Sequence, residues 1–339
     1  MIRSSLISVC IANFNGMEVI DDCIRSVYAQ IGNLEVEILV HDDASSDGSS
    51  RYIHEHYPSV TVIDSKENAG FCIANNRMVA AAKGKYILLL NNDASLYPDA
   101  LQSLLAEARQ LSKPAILTLP QYDATSGELI DRGCLLDPFF NPVVNLDPQR
   151  SDVAMVIGAC LWIPKDLWNE LNGFPEWFGS IAEDMYLCCK ARLAGYSVRA
   201  LGLSGYRHLV GSSFGGGKVQ NERLSTTRRR RAFSERNKTF VMLLCLPMSL
   251  LSIVLPLHLV LIYLEGIILC AIGRDSVIWR EVYAPIIPNI WSAKGRIRNA
   301  RREFQAARRI GLITWLAPFR WFPWKLVMLL RYGVPTVTK

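Results

Sequence analysis

The sequence lacks the cysteine spacing of a metal-binding or disulfide-stabilised protein. Its nine cysteines are scattered along the chain without a CxxC pair, whereas structural zinc sites use closely spaced pairs. We expect buried, reduced thiols, with no disulfide bonds and no structural zinc. Charged residues are also few, at 20% of the chain beside 50% hydrophobic residues. This composition excludes an intrinsically disordered protein.

The start of the chain lacks the basic and apolar regions of a secretory signal, since Met1 to Ser5 lead directly into a strand-like run. We therefore expect the N-terminal part to stay in the cytosol. The length of 339 residues exceeds that of one average domain. We predict a first domain at residues 1–238 and a C-terminal helical, membrane-associating region at residues 239–339.

Apolar runs typical of strands alternate with helix-like segments in the first domain. Strands are predicted at 6–11, 35–40, 60–63, 86–90 and 153–163, and helices at 20–30, 50–57, 75–82, 165–171 and 182–194. Residues 120–151 favour loops and short antiparallel strands. The alternation predicts an α/β fold, a mixed and mostly parallel sheet flanked by helices. Ligands then bind at the carboxyl ends of the strands.

Two polar clusters follow predicted strands. Asp93 ends the triplet that begins at Asn91, and its carboxylate could hold a divalent cation on a diphosphate, although such a triplet is also typical of a turn. Asp42 and Asp43 could accept hydrogen bonds from a base or a ribose, or could cap the next helix. Both clusters are candidate ligand-binding sites at the sheet edge.

Further candidates lie later in the chain. Glu183 and Asp184 open a predicted helix, where the helix dipole stabilises a carboxylate and where a general base could also act. His208 is either a ligand or a structural histidine. A basic, glycine-rich loop that cradles a triphosphate is missing from the N-terminus, which weighs against a nucleotidyltransferase.

The C-terminal region is apolar first and basic afterwards. Residues 240–273 are long enough to cross a bilayer once, and residues 274–339 contain thirteen Lys and Arg residues but three Asp and Glu residues. Interleaved tryptophans favour an anionic membrane surface and not nucleic acid as the partner. A single crossing would put this tail on the side opposite a cytosolic domain, so we expect a proline-broken helical pair, in-plane or re-entrant. A buried helical subdomain and a solvated basic helix are the alternatives.

An ordered set of motifs closely resembles glycosyltransferase family 2. The motifs span about Ser5 to Lys238 and comprise Asn13 to Gly16, Asp42 to Ser49, Glu67 to Phe71 with Asn75 and Asn76, Gly84 to Asp93, Gly158 to Cys160, Gly173 with Phe174, Ala182 to Cys188, Arg192 to Tyr196, His208, and Arg236 with Asn237. The resemblance implies the GT-A fold. It also implies inverting, metal-dependent transfer of a sugar from a nucleotide diphosphate donor.

The resemblance further implies roles for individual residues. Asp184 would be the catalytic base with Glu183 beside it, and Asp93 and His208 would bind Mg²⁺ or Mn²⁺. The donor would be bound by Asn13, Asn15, Asp42, Asp43, Asn68, Gly70, Asn76, Asn92 and Arg236. The acceptor would meet Gly158, Trp177 and Phe178, the last two either as a stacking wall or as a core pair. Asn91 stands where many relatives carry a first acid, and Met78 stands where a glycine is common.

Within that family, the chain looks similar to bacterial rhamnosyltransferases of envelope polysaccharide synthesis. We expect L-rhamnose transfer from dTDP-rhamnose to a lipid-linked oligosaccharide or lipopolysaccharide acceptor, at the cytoplasmic face of the bacterial inner membrane. A galactofuranosyl or other hexosyl transferase is the alternative within the family. A non-catalytic binding subunit is the alternative of another class, because a fold fixes neither the sugar nor the activity.

Overall fold

A computed structural model describes residues 6–209, 216–220 and 223–338. The chain forms two compact units. The first comprises the described residues up to Cys134 together with Val144–Ala191 and Tyr196–Leu209, and the second comprises Leu135–Val143, Arg192–Gly195 and the described residues after Leu209. The predicted boundary after residue 238 lies inside a continuous helix, Arg228–Cys245. The second unit therefore begins earlier in the chain than that boundary.

The first unit is built on a seven-stranded mixed sheet. Its strands are β1 (Ile7–Asn13), β2 (Val36–Asp42), β3 (Thr61–Asp64), β4 (Tyr86–Asn91), β6 (Ala115–Thr118), β11 (Cys160–Pro164) and β12 (Ser197–Ala200), in the order β12-β6-β11-β4-β1-β2-β3. β4, β1, β2 and β3 run parallel, and β11 is antiparallel to both of its neighbours. The predicted fold class is confirmed.

The apolar runs form these strands because both faces of the sheet are covered. Residues 7–11 of β1 are fully buried, and strands buried on both faces read as continuous apolar runs. Helices accompany them: α1 (Ile20–Tyr28), α2 (Ser49–His56), α3 (Phe71–Ala81), α4 (Ala100–Gln110), α5 (Lys165–Glu170) and α6 (Glu183–Leu193), with a 3₁₀ turn at Glu176–Phe178. Each buried Ile, Leu or Val side chain contributes roughly 1.5–3 kcal/mol to stability.

One predicted strand is shorter in the structure. Residues 153–163 were expected as a single strand, but only Cys160–Pro164 is extended in the sheet. Val153 and Met155 are buried, and Met155 forms an isolated bridge with Cys134. Burial without sheet pairing produces the same apolar pattern as a strand, so the prediction was wrong for residues 153–159.

Short strands form smaller sheets, as predicted for the weakly patterned region. β5 (Ala94–Leu96), β13 (Tyr206–His208), β7 (Gln121–Asp123) and β8 (Leu129–Asp131) form a four-stranded sheet in that order, and β9 (Cys134–Leu136) pairs with β10 (Pro142–Val144). β13 places His208 opposite Ala94, the residue after Asp93. The small sheet thus returns a late part of the chain to the end of β4.

The second unit is mainly helical. It contains α7 (Arg228–Cys245), α8 (Met248–Gly273), α9 (Ser276–Ile278), a π-helical turn at Trp279–Tyr283, α10 (Ile286–Ser292), α11 (Lys294–Ala306), α12 (Leu312–Leu316) and α13 (Trp324–Tyr332). β14 (Gly216–Gln220), β15 (Arg223–Thr227) and β16 (Thr336–Thr338) form a three-stranded sheet. The expected pair of helices within residues 240–273 is not found, because residues 240–245 are the end of α7 and residues 248–273 form the single helix α8. Pro256 lies within the continuous α8.

Close packing joins α8 to the π-helical turn. A Cβ atom on Gly266 would lie 2.6 Å from the ring of Tyr283, so only glycine allows the two backbones to approach this closely. Ile262, Leu269, Ile278 and Val282 complete this apolar core. By length and apolarity, α8 is the one helix among the described residues that could span a membrane.

Candidate functional site

Asn13 ties the carboxyl ends of three strands together. Its amide nitrogen lies 2.8 Å from Asp42 Oδ2 and 2.9 Å from Ser49 Oγ, and its Oδ1 accepts from the Asn92 amide at 2.9 Å. Asn13, Asp42 and Asn92 are all buried. The polar residues predicted to gather at this sheet edge are therefore in mutual contact.

Gly16 leaves the room that this contact needs. A Cβ atom at Gly16 would lie 2.2 Å from Asn13 Oδ1 and 2.3 Å from Asn92 Nδ2, so any side chain would displace the hydrogen bond. Asn15, with φ of 49°, accepts from the Ser46 backbone N–H at 2.8 Å. This bond ties the loop after β1 to the loop after β2.

The two neighbouring aspartates after β2 bind different parts of the backbone. Asp42 Oδ1 accepts from the Ser45 N–H at 2.9 Å. The Asp43 carboxylate accepts from the N–H groups of Ala69 and Gly70, at 2.7 and 2.9 Å. Asp43 thereby fixes the start of α3, and Gly70 adopts a φ of +91° that favours glycine. Each carboxylate oxygen has a second lone pair that a ligand could use.

Asp93 and His208 come together as the sequence predicts. Asp93 Oδ1 lies 3.0 Å from His208 Nε2, and both side chains are buried. The Leu209 N–H also donates to the Asp93 carbonyl oxygen at 3.0 Å. The Asn91 amide nitrogen is 3.4 Å from the same ring nitrogen. The imidazole thus lies against the end of β4.

A buried amide and a phenol orient the imidazole from behind. Gln121 Nε2 lies 3.2 Å from His208 Nδ1, and the Tyr206 hydroxyl lies 2.7 Å from Gln121 Oε1. Gln121 and Tyr206 are buried, so the chain Tyr206–Gln121–His208 restrains the ring. No motif marks Gln121, which lies in a weakly patterned region, and its contact with His208 was not predicted.

A short backbone segment connects Asp184 with the strand end that precedes Asp93. The Gly158 N–H donates to Asp184 Oδ2 at 3.1 Å, and the carbonyl oxygen of the following residue, Ala159, accepts from the Asn91 N–H at 3.1 Å. Asp184 is half-buried and Glu183 is buried. The structure therefore brings the predicted base and the predicted metal-binding carboxylate to one edge of the sheet, with Gly158 holding the base.

The backbone ahead of Asp184 is strained. Ile181 and Ala182 have φ values of 68° and 67°, in the left-handed region that costs an L-residue roughly 1–2 kcal/mol. Such strain persists only where surrounding contacts hold it, and it clusters at functional sites. The segment directs the first turn of α6, and with it Asp184, toward Gly158.

Two other predicted site residues, Asn76 and Phe178, have structural partners. The Asn76 amide donates to the Phe174 carbonyl oxygen and accepts from the Phe174 N–H, both at 3.0 Å. Phe178 is fully buried and packs edge-on against Tyr186. The prediction that Phe178 forms part of a stacking wall for the acceptor is therefore wrong, because core packing leaves no face of its ring for a ligand. Trp177 is half-exposed.

The two remaining predicted donor-binding residues are Asn68 and Arg236. Asn68 is exposed on the segment before α3. Arg236 belongs to the second unit, where its guanidinium lies 4.7 Å from the centroid of the Phe233 ring. Donor binding by Asn68 and Arg236 stays a prediction.

The donor set at Asp93 suits a divalent cation. Within residues 6–209, 216–220 and 223–338, no three His, Cys, Asp or Glu side chains gather as a complete metal site. One carboxylate oxygen and one imidazole nitrogen 3.0 Å apart nevertheless fit Mg²⁺ or Mn²⁺, which take further oxygens from a diphosphate. Asp93 and His208 are thus the residues that would hold the cation.

Comparison with protein families finds a likeness within the first unit. Residues 8–166 match the family profile described as glycosyl transferase family 2. The chain is 31% identical over 191 residues to a chondroitin synthase of Escherichia coli. The matched residues cover 55% of this chain and 26% of that protein. The chain thus spans about a quarter of the length of this relative.

Two further likenesses point the same way. An N-acetylglucosaminyl-diphospho-decaprenol L-rhamnosyltransferase of Mycobacterium tuberculosis is 24% identical over 191 residues, which cover 48% of this chain and 62% of that protein. A crystal structure of GalNAc-T7 with UDP, GalNAc and Mn²⁺ superposes with a TM-score of 0.56 at 17% identity, covering 72% of this chain and 48% of that one. The structural likeness confirms the GT-A fold.

Proposed function

We propose that the chain, whose residues 8–166 match the profile of glycosyl transferase family 2, transfers a sugar from a nucleotide diphosphate donor to an acceptor hydroxyl, with inversion. The observation that carries this proposal is the backbone of Gly158 and Ala159, in which the Gly158 N–H donates to Asp184 and the Ala159 carbonyl oxygen accepts from the Asn91 N–H at the end of β4. An in-line displacement needs a base and a site for the departing diphosphate on opposite faces of the sugar.

In this proposal, Asp184 accepts the proton of the acceptor hydroxyl, whose oxygen forms the new bond to the anomeric carbon. The bond from that carbon to the diphosphate oxygen breaks, and the electron pair leaves with the nucleoside diphosphate. Asp93 and His208 would hold a divalent cation, which would supply positive charge to neutralise this leaving group. Gly158 keeps the Asp184 carboxylate oriented, because its N–H donates to one oxygen.

The donor pocket is proposed at the ends of β1 and β2. Asp42 and Asp43 supply carboxylate oxygens for a base or a ribose, and Asn13 and Asn92 hold these loops in place. For the sugar we propose L-rhamnose from dTDP-rhamnose, on a lipid-linked glycan. The support is the motif pattern and the 24% identity to a rhamnosyltransferase. Galactofuranose or another hexose is the alternative donor sugar.

A donor screen tests the class and the sugar together. Purified protein is incubated with Mn²⁺ and, in turn, dTDP-rhamnose, UDP-galactofuranose, UDP-glucose and GDP-mannose, and its melting temperature and slow donor hydrolysis are followed. Binding to the native state raises the melting temperature by mass action. We expect one donor to stabilise the protein, with the effect lost in EDTA or in Asp93→Ala. Stabilisation by one of the other three donors would assign that donor's sugar to the protein in place of rhamnose.

Asp184→Asn separates catalysis from binding. The amide keeps the acceptor for the Gly158 N–H but cannot take a proton, so we expect turnover to fall at least 10²-fold while donor-induced stabilisation is unchanged. Glu176→Gln, an exposed change on the neighbouring 3₁₀ turn, is the matched control. Full turnover in Asp184→Asn would exclude this base, and donor binding without turnover in the unmodified chain would favour a binding subunit.

A further inference from the structure

Helix α8 has two apolar faces, of which one is covered by protein and one is exposed. Its inner face carries Leu251, His258, Ile262, Gly266 and Leu269, all buried at helical spacing. The outer face carries eight large apolar side chains that are 42–67% exposed, namely Ile253, Leu257, Val260, Leu261, Leu264, Ile267, Ile268 and Ile272. An unbroken exposed apolar surface of this size marks an interaction site.

The inner face is held to the rest of the second unit by ion pairs between buried and half-buried side chains. Glu265 of α8 accepts from Arg231 of α7 and from Lys325 of α13, each at 2.6 Å. Lys325 also donates to Glu235 of α7, which pairs with Lys238, again at 2.6 Å in each pair. His258 Nε2 lies 2.9 Å from Thr239 Oγ1. Separating α8 from α7 would leave buried charges without partners, which is strongly unfavourable.

This network decides between two arrangements in a bilayer. A helix that crosses alone must expose its whole circumference to lipid, so Glu265 would enter the hydrocarbon without its partners. A helix that lies in the membrane plane keeps its inner face on protein and buries only its outer face. The contacts of Glu265 are compatible with the second arrangement.

Exposed aromatic and basic side chains occur in the same unit. Trp291, Trp321, Phe322 and Leu330 are 56–78% exposed, and Lys294 lies 5.6 Å from the centroid of the Trp291 ring. Trp321 and Phe322 shortly precede Lys325, which contacts Glu265 of α8. Aromatic rings at headgroup depth beside cationic groups suit an anionic lipid surface.

We propose that the second unit docks on an anionic bilayer leaflet, with α8 lying in the membrane plane and its outer face in the interface. The partner is a lipid surface because the apolar face is accompanied by net positive charge, thirteen Lys and Arg residues beside three Asp and Glu residues from Arg274 onward. This docking does not depend on the proposed transfer reaction. The tail stays on the side of the bilayer from which the protein binds.

Vesicle flotation of the full chain tests the docking. We expect binding to vesicles of phosphatidylcholine with 30% phosphatidylglycerol, and weaker binding to phosphatidylcholine alone or at high salt. Val260→Asp and Ile267→Asp change only the outer face, and each should lower the apparent partition constant about tenfold, because one buried apolar side chain is lost from the interface. Leu203→Asp and Leu146→Asp alter exposed leucines of the first unit and should leave it unchanged.

Two results would overturn the proposal. One is the absence of binding to the anionic vesicles. The other is equal binding of the outer-face and control variants at an unchanged melting temperature. Concentration-dependent dimerisation that the α8 variants abolish, without vesicle binding, would assign the face to a second copy of the chain.

Cysteine labelling tests the in-plane arrangement. Thr125→Cys and Gly295→Cys each add a thiol at an exposed position, one in each unit, in a Cys270→Ser background in which the remaining cysteines are buried. In sealed inner-membrane vesicles with the cytoplasmic face outward, we expect a membrane-impermeant maleimide to label both variants equally. Labelling of Thr125→Cys with protection of Gly295→Cys would show a crossing and refute the in-plane helix.

Discussion

At the scale of single residues, the candidate site includes side chains that belong to no recognisable sequence motif. Gln121 contacts His208 on the nitrogen opposite to the one that faces Asp93. Such partners fix the tautomer and the orientation of a metal-binding histidine, and their loss typically lowers metal affinity 10–100-fold. For Nε2 to bind a cation, Nδ1 carries the proton, and the Gln121 amide then turns its oxygen toward it.

Gln121→Ala should therefore weaken cation binding about 10-fold or more. The measurement is a calorimetric titration of Mn²⁺ in the presence of nucleoside diphosphate. Gln121→Glu keeps an oxygen acceptor for Nδ1–H and should retain most of the affinity, whereas a general loss of packing would weaken both variants alike. Unchanged Mn²⁺ affinity in Gln121→Ala would remove this residue from the site.

A buried carboxyl group beside this site gives a pH-dependent prediction. Burial raises the pKa of Asp131 from its ordinary value to about 6, although the Gly133 N–H and the nearby His208 oppose the shift. The folded state then binds more protons than the unfolded state between about pH 4 and pH 6, so this group's contribution to stability is lost as the pH rises through 6.

Asp131→Asn removes that ionisation and keeps an oxygen for the Gly133 N–H. At pH 8, the free energy of unfolding of the variant should exceed that of the parent by on the order of 2 kcal/mol. At pH 4.5 the difference should fall to roughly a third of its value at pH 8, because the unfolded carboxyl group is still partly ionised there. Urea denaturation at both pH values measures it, and a difference that does not depend on pH would contradict the raised pKa.

At the scale of elements, the parallel strands could be predicted because each is marked by a short run of neighbouring apolar residues in the sequence. Ile7 to Ile11 is an apolar run closed by turn residues, and the structure extends it into β1. The segment ahead of Cys160 was mistaken for a strand, since a buried irregular backbone and a strand share one apolar pattern. Sequence periodicity shows burial but not the partner of a hydrogen bond.

The same limit applies to the site. Asp93, Asp184 and His208 could be identified from motifs, and the structure places their segments at one sheet edge. The Asn76 amide, predicted to bind the donor, instead pairs with the backbone of Phe174, 98 residues away. Long-range pairing of this kind depends on tertiary structure, so polar residues that brace loops cannot be distinguished from those that bind ligands in the sequence alone.

At the scale of the whole molecule, the position of the unit boundary determines where the chain can be cut. A fragment that ends at residue 238 keeps Arg231, Glu235 and Lys238 but loses Glu265 and Lys325, which pair with them in the full chain. It also ends within α7, before buried Phe240. Unpaired buried charges cost about 3–5 kcal/mol, a large part of the stability of a typical domain.

The fragment of residues 1–238 should therefore aggregate or unfold at a lower temperature than the full chain. Size-exclusion chromatography and thermal unfolding measure this. If the unpaired Arg231 is the cause, Arg231→Met and Arg231→Leu should each restore part of the solubility of the fragment, because an apolar group does not need the missing Glu265, whereas Glu235 keeps Lys238 as its partner. A soluble, cooperatively unfolding fragment without these changes would place the functional boundary at residue 238 after all, with the charge network serving α8 alone.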